Sequence, residues 1–147
     1  MSRGAAEVSR LIAIVGCGRV GAFVAGELSR TGIGVLVIDR RESAFDLLPP
    51  EFSGFKLHGN AIEMAVLRSA RLQEADCLLA VTRDDNTNLM VTQVARAIFA
   101  VPRVLSRVSD PKKEPVFRHF GIEVISTTKV TADCLLAALS RSGGSRP

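Results

Sequence analysis

The hexapeptide Gly16-Cys17-Gly18-Arg19-Val20-Gly21 places glycine at its first, third and sixth positions. That spacing suits a chain that must wrap a diphosphate. Gly16 permits a tight turn. Gly18 lets the backbone approach phosphates with no Cβ in the way. Gly21 lets the following helix pack close to the preceding strand. The hexapeptide alone is a weak signal, and it gains force from its setting between an apolar run and an amphipathic run. The free N–H groups of the helix start, from Val20 onward, would face the phosphates, with the helix dipole adding favourable charge. Arg19 can lie along the same phosphates, although an arginine at a helix start is also compatible with simple solvation. Asp39 follows Gly16 by 23 positions, where an acid accepts hydrogen bonds from a ribose diol. A carboxylate there repels a 2′-phosphate and disfavours NADP, an exclusion that the neighbouring Arg40 weakens. Together these residues point to a bound adenine nucleotide.

The remaining reactive side chains do not assemble into a catalytic set by spacing. Hydride transfer needs an acid/base and a substrate pocket beside the nicotinamide. The chain has two histidines. His58 closes a short apolar run on the adenine side, away from that chemistry. His119 lies between Phe117 and Phe120 in a late helix and reads as a helix-end or surface residue. Cys17 sits at a helix start beside Arg19, a setting that lowers a thiol's pKa and would suit redox sensing; the alternative is a small residue filling a variable slot. Cys77 and Cys134 read as buried packing. Asp84-Asp85 precede a helix, where acids favour the dipole, so capping is preferred to a metal pair.

Positioning these residues requires alternating strands and helices. The runs 10–15, 33–38, 55–58, 77–81, 103–108 and 122–125 read as six strands. Helices are expected over 20–30, 42–48, 61–70, 84–99, from Asp110-Pro111 onward, and over 128–140. In the third of these, Ile62, Ala65, Val66 and Ser69 are expected on one face. Each parallel crossover needs a helix, so the fold class is α/β: a Rossmann-type, doubly wound, six-stranded parallel sheet in the order 3-2-1-4-5-6, in a single domain. The last helix carries Val130, Cys134, Leu135, Leu136, Ala138 and Leu139, a broad apolar face that can cover the sheet edge or meet a second copy. Residues 1–9 and 141–147 read as flexible ends.

Composition narrows the class. A chain of 147 residues suits one domain and leaves no room for a separate substrate domain. Apolar residues make up 47% and charged residues 23%, as in an ordinary globular domain. Three widely spaced cysteines argue against a disulfide framework and suit a reducing cytoplasm. A net charge of +4 is too small for a polybasic footprint, and the phenylalanines show no base-stacking pattern, so no nucleic-acid partner is expected. No apolar run reaches the roughly 18–20 residues of a membrane span, and no secretory signal is visible.

Five segments carry a resemblance to a known family: Ile14 to Gly21, Val37-Ile38-Asp39-Arg40, His58-Gly59-Asn60-Ala61, Ala80 to Leu89, and Pro102 to Pro111. With Phe117 to Ser126, they resemble the TrkA/KtrA-type RCK (KTN, TrkA-N) nucleotide-binding domain of potassium-transport regulators. The resemblance spans residues 10–140. It implies binding of NAD(H) or ATP/ADP, a homodimer or larger ring, and a membrane-embedded potassium channel or transporter as partner, met from the cytoplasmic side. It also implies a regulatory function rather than an enzymatic one. On matching positions, Gly16, Gly18, Arg19, Val20 and Gly21 would hold phosphates, and Asp39 the adenosine ribose with Arg40 beside the adenine. Asn60 and Ala61 would border the adenine. Thr82 would lie near the second half of the ligand. Arg107, after the fifth strand, would reach distal phosphates or a neighbouring subunit. Relatives often carry Pro-Glu after the sixth strand, with the Glu available to a metal; here the positions are Thr127-Thr128, so no metal ligand is carried over. Relatives usually continue into a smaller C-terminal domain. The alternatives are an NAD-dependent oxidoreductase domain without its substrate half, or a nucleotide or redox sensor for another partner.

Overall fold

A computed structural model describes residues 10–142. Six strands form one parallel sheet: β1 (Leu11–Val15), β2 (Gly34–Asp39), β3 (Phe55–His58), β4 (Cys77–Ala80), β5 (Arg103–Val108) and β6 (Glu123–Ser126). Their order is β3-β2-β1-β4-β5-β6, all neighbours parallel. The doubly wound architecture expected from the alternating runs is present. The α-helices are α1 (Arg19–Arg30), α2 (Met64–Ser69), α3 (Asp85–Ala97), α4 (Glu114–His119) and α5 (Thr127–Ser142).

The central strands β1, β2 and β4 are buried on both faces because they are apolar at consecutive positions. Ala13, Val15, Leu36, Ile38, Leu78 and Ala80 point to one side, where they meet Leu67, Val91, Ala95 and Phe117. Ile14, Val35 and Val37 point to the other, against Ala22 and Ala25 of α1 and against Phe45 and Leu48. Each fully buried Val, Leu, Ile or Phe among them contributes about 1.5–3 kcal/mol from the apolar area removed from water, and the alanines less. The strands β1 and β2 run in step, with Val15 opposite Ile38, and β4 ends with Ala80 opposite Val15. Beyond these pairs the chains leaving β1 and β4 diverge in opposite directions. A crevice at this switch point follows from the strand order.

Several elements depart from the sequence expectation. Residues 42–48 form a tight 3-10 helix (Glu42–Leu47) rather than an α-helix. The helix expected over 61–70 begins only at Met64, because Asn60 holds the preceding turn: its Oδ1 accepts the Ile62 N–H at 3.1 Å and its carbonyl accepts that of Glu63. That delay rotates the buried face to Leu67 and Ala70, leaving Ile62, Ala65 and Ser69 exposed. Asp110-Pro111 opens a 3-10 turn (Pro111–Lys113) before α4, with Asp110 capping Lys112 N. Helix α5 extends to Ser142, so positions 141–142 are helical where a flexible tail was expected. The other end segments, 1–9 and 143–147, lie outside the described residues. Helix α5 also leaves its apolar face open: Leu135, Leu136 and Leu139 are 61%, 63% and 68% exposed. It does not cover the sheet edge with that face, and Cys134 on it is exposed rather than packed.

Candidate functional site

The crevice at the switch point is a cleft of about 720 Å³. Its floor is the turn after β1. Gly16 adopts φ +108°, a conformation glycine takes at no steric cost, and a Cβ there would meet the Thr82 backbone nitrogen at 3.0 Å. Gly18 is the N-cap of α1. A Cβ on Gly18 would meet nothing within 4 Å, so this backbone faces open space. Gly21 lies in the first turn of α1, where a Cβ would overlap the Gly16 carbonyl oxygen. No side chain caps α1, so its first-turn donors are left to the cleft.

The structure brings ten of the eleven sequence-selected residues to the cleft lining. Gly16, Gly18, Arg19 and Val20 form the floor, and Asp39 and Arg40 stand at the end of β2. Asn60 and Ala61 close the side next to β3, and Thr82 and Arg107 close the side beyond β4. Gly21 is buried behind the turn and does not line it. Arg107 lies within β5 rather than after it.

Asp39 is tied to the turn. Its Oδ2 accepts the Cys17 N–H at 2.7 Å and its Oδ1 accepts the Arg41 N–H at 2.8 Å. Each carboxylate oxygen keeps a second lone pair for another donor. Arg107 presents the opposite situation. Its Nε is buried and has no hydrogen-bond partner. An unpaired buried donor of this kind costs about 1–3 kcal/mol. Five arginines, Arg19, Arg40, Arg41, Arg83 and Arg107, line the cleft against two acids, Asp39 and Asp84, so the cleft favours anions.

Cys17 corrects an expectation. The thiol is fully buried, and burial, with the Asp39 charge second, pushes its pKa up to about 11. The helix start does not make it a reactive thiolate. Cys77 is half-buried and its pKa is likewise raised, first by burial. His58 bonds the Arg40 carbonyl through Nε2 at 3.1 Å. His119 ends α4 on the surface, edge-on to Phe120 at 5.2 Å between ring centroids. Neither histidine lines the cleft.

The acidic pair has two tasks. Asp84 caps α3 by accepting from Asn86 N and Thr87 Oγ1, the latter at 2.8 Å. Asp85 is buried and accepts the Ser109 and Asp110 N–H groups at 2.8 and 3.1 Å, fastening α3 to the turn after β5. Sequence reasoning read only capping. It also missed Asn88, a fully buried amide behind Thr82 and Arg107. The available signal was its place on the α3 face that carries Val91, Thr92 and Ala95, where a polar residue must find partners.

Comparison with known proteins agrees with this geometry. The family model described as the TrkA-N domain matches residues 12–128. The Trk system potassium uptake protein TrkA of Streptomyces coelicolor is 39% identical over 132 residues, 90% of this chain. This chain spans 59% of that relative's length. The GsuK channel bound to NAD is similar in structure, with TM-score 0.80 and 28% identity over 92% of this chain and 24% of that one. GsuK bound to ADP has TM-score 0.78 and 28% identity over 90% of this chain and 34% of that one. The family match runs from the first strand to the start of the last helix, over the glycine turn, Asp39 and both walls of the cleft, and this chain belongs to the TrkA-N domain family.

Proposed function

We propose that residues 10–140 are a nucleotide-binding regulatory domain of a potassium-transport system, and that the cleft takes NAD(H) or ATP/ADP. The bare backbone of Gly18, facing open space at an uncapped helix start in a cleft that Arg107 also lines, is the observation that carries this reading. Both features suit a phosphorylated ligand. In this reading Gly16, Gly18, Arg19 and Val20 hold phosphates, with Gly21 keeping the turn closed behind them. Asp39 accepts from the adenosine ribose, Arg40 lies beside the adenine, and Asn60 and Ala61 border it. Thr82 and Arg107 face the second half of the ligand. The similar GsuK structures are described as bound to NAD and to ADP, two ligands that share the adenosine diphosphate these residues suit.

The function is regulatory rather than enzymatic. Both histidines stand outside the cleft lining and Cys17 is held as a buried thiol. No helix among the described residues is long and apolar enough to cross a membrane. The partner is a membrane-embedded potassium channel or transporter, met from the cytoplasmic side. The exposed Leu135, Leu136 and Leu139 of α5 suit a second copy of the chain, because contiguous exposed apolar surface of this kind marks association sites. Ligand binding then regulates transport by favouring one arrangement of the dimer or ring, which requires different affinities for the two arrangements.

Deletion of the gene tests the regulatory reading. Impaired growth and slowed uptake at low potassium, restored by the wild-type gene but not by an Asp39→Ala allele, are expected. Normal potassium uptake in the deletion strain overturns it.

A further inference from the structure

The geometry points to Asn88 as the positioning residue that fixes the wall of the cleft facing the second half of the nucleotide, acting through Thr82 and Arg107. This inference rests on the nucleotide reading of the cleft. Asn88 stands on the second turn of α3 and is 0% exposed. All four hydrogen-bonding positions of its amide are used. Oδ1 accepts the Thr82 N–H at 3.1 Å and the Thr82 hydroxyl at 2.6 Å. Nδ2 donates to the Thr82 carbonyl and to the Arg107 carbonyl, each at 3.0 Å. The orientation is dictated by the partners, since a backbone N–H can only meet an acceptor and a carbonyl can only meet a donor.

The position explains why an amide is needed. The β4–β5 ladder ends at the pair Ala80 and Ser106. Past that pair, Thr82 and Arg107 have no ladder bond to each other, although both line the cleft. The Asn88 side chain spans this gap. It holds the peptide of Thr82 at its N–H and its carbonyl, and holds the carbonyl of Arg107 beside it. The Arg107 carbonyl also accepts the Ser106 hydroxyl at 3.1 Å, so losing the amide leaves that oxygen paired but cuts its tie to Thr82. Thr82 in turn backs the glycine turn, since its nitrogen lies 3.0 Å from where a Gly16 Cβ would be. One buried amide therefore sets the distance between the turn and the arginine whose Nε is unpartnered. Thr92, on the same helix and equally buried, bonds only helix carbonyls: those of Asn88 at 2.7 Å and Leu89 at 3.0 Å. Its hydroxyl bonds no residue of the cleft lining, which makes it a matched control.

Calorimetric titration of the full chain with ADP and with AMP, alongside circular-dichroism melting, separates positioning from packing. Asn88→Asp keeps the shape but replaces the donor with an acceptor facing two carbonyls. Asn88→Ser is too short to span the gap, and provides a second variant. The preference for ADP over AMP is expected to fall about tenfold in either variant that melts cooperatively. Thr92→Val is expected to keep the wild-type preference even where it lowers the melting temperature. A wild-type ADP/AMP preference in a folded Asn88 variant overturns the proposal, as does an equal fall in Thr92→Val. Failure of both Asn88 variants to fold also overturns it, by assigning the amide to the fold alone. Absence of binding by the wild-type chain is a separate outcome, which overturns the nucleotide reading itself.

Discussion

The carboxylate of Asp39 accepts the backbone N–H of Cys17 at 2.7 Å, joining the end of β2 to the glycine turn after β1. The residue proposed to receive a ribose also fixes the loop proposed to receive phosphates. Asp39→Ala is therefore expected to weaken ADP and NADH binding together, by about 1–3 kcal/mol, since both ligands share the adenosine half. Calorimetry with each ligand checks this, and an unchanged affinity for both contradicts the assignment.

Two glycines of the same turn should behave differently. Gly18→Ala adds a methyl group that meets nothing within 4 Å in the protein. Its melting temperature should stay near wild type while nucleotide affinity falls, because the methyl occupies the space assigned to phosphate. Gly21→Ala puts its methyl onto the Gly16 carbonyl oxygen, so the helix or the turn must shift. Stability should fall by about 1–3 kcal/mol, as expected for overpacking, and binding with it. A Gly18→Ala variant that binds like wild type would remove phosphate from the turn.

The Cys17 thiol yields a stability prediction at high pH. Burial raises its pKa from 9.0 to about 11 in the folded chain. The native state thus keeps a proton that the unfolded state loses first. The resulting stability is fully present below pH 9 and is lost as pH rises through 11, a change on the order of 2 kcal/mol. Denaturant titrations from pH 8 to 11 should show a decline that is absent in Cys17→Ala. The thiol should also resist alkylation in the folded protein at pH 8. Rapid alkylation there would contradict its burial.

Asp84 gives the opposite sign. Its bond from Thr87, followed by that from Asn86 N, holds its carboxyl below the ordinary value of 3.8. The stability it contributes is present above that pH and is lost as pH falls through the lowered value. Asp84→Ala should cost about 1 kcal/mol at neutral pH, as for other lost N-caps, and should flatten part of the acid limb of the stability profile. Thermal melts of the two proteins from pH 7 to 2 measure both effects.

Strands were legible where apolar runs were continuous and bounded. Strands β1 (11–15) and β4 (77–80) fall inside the expected runs 10–15 and 77–81, where apolar residues at consecutive positions leave little ambiguity, and residues 55–58 and 103–108 form β3 and β5 with the expected bounds. Helix α2 was less legible because Asn60 spends its side chain on the turn ahead of it, a local competition that periodicity does not show. The Asp39–Cys17 bond and the Asn88 amide link residues far apart in the chain or across strand ends. Only the folded chain brings them together. On helix α5 periodicity shows that a face is apolar without showing what meets it, so sheet-edge cover and a second copy both fit the sequence, and only the fold shows its leucines facing solvent.

One adenine nucleotide is expected to occupy the cleft over the glycine turn. The chain has no tryptophan or tyrosine, so NADH fluorescence can be followed without protein background. Titration of NADH with the wild-type chain should give saturable one-site binding that ADP reverses completely, because both ligands need the same turn. No NADH signal and no competing ADP binding, or NADH and ADP binding independently of each other, would contradict it.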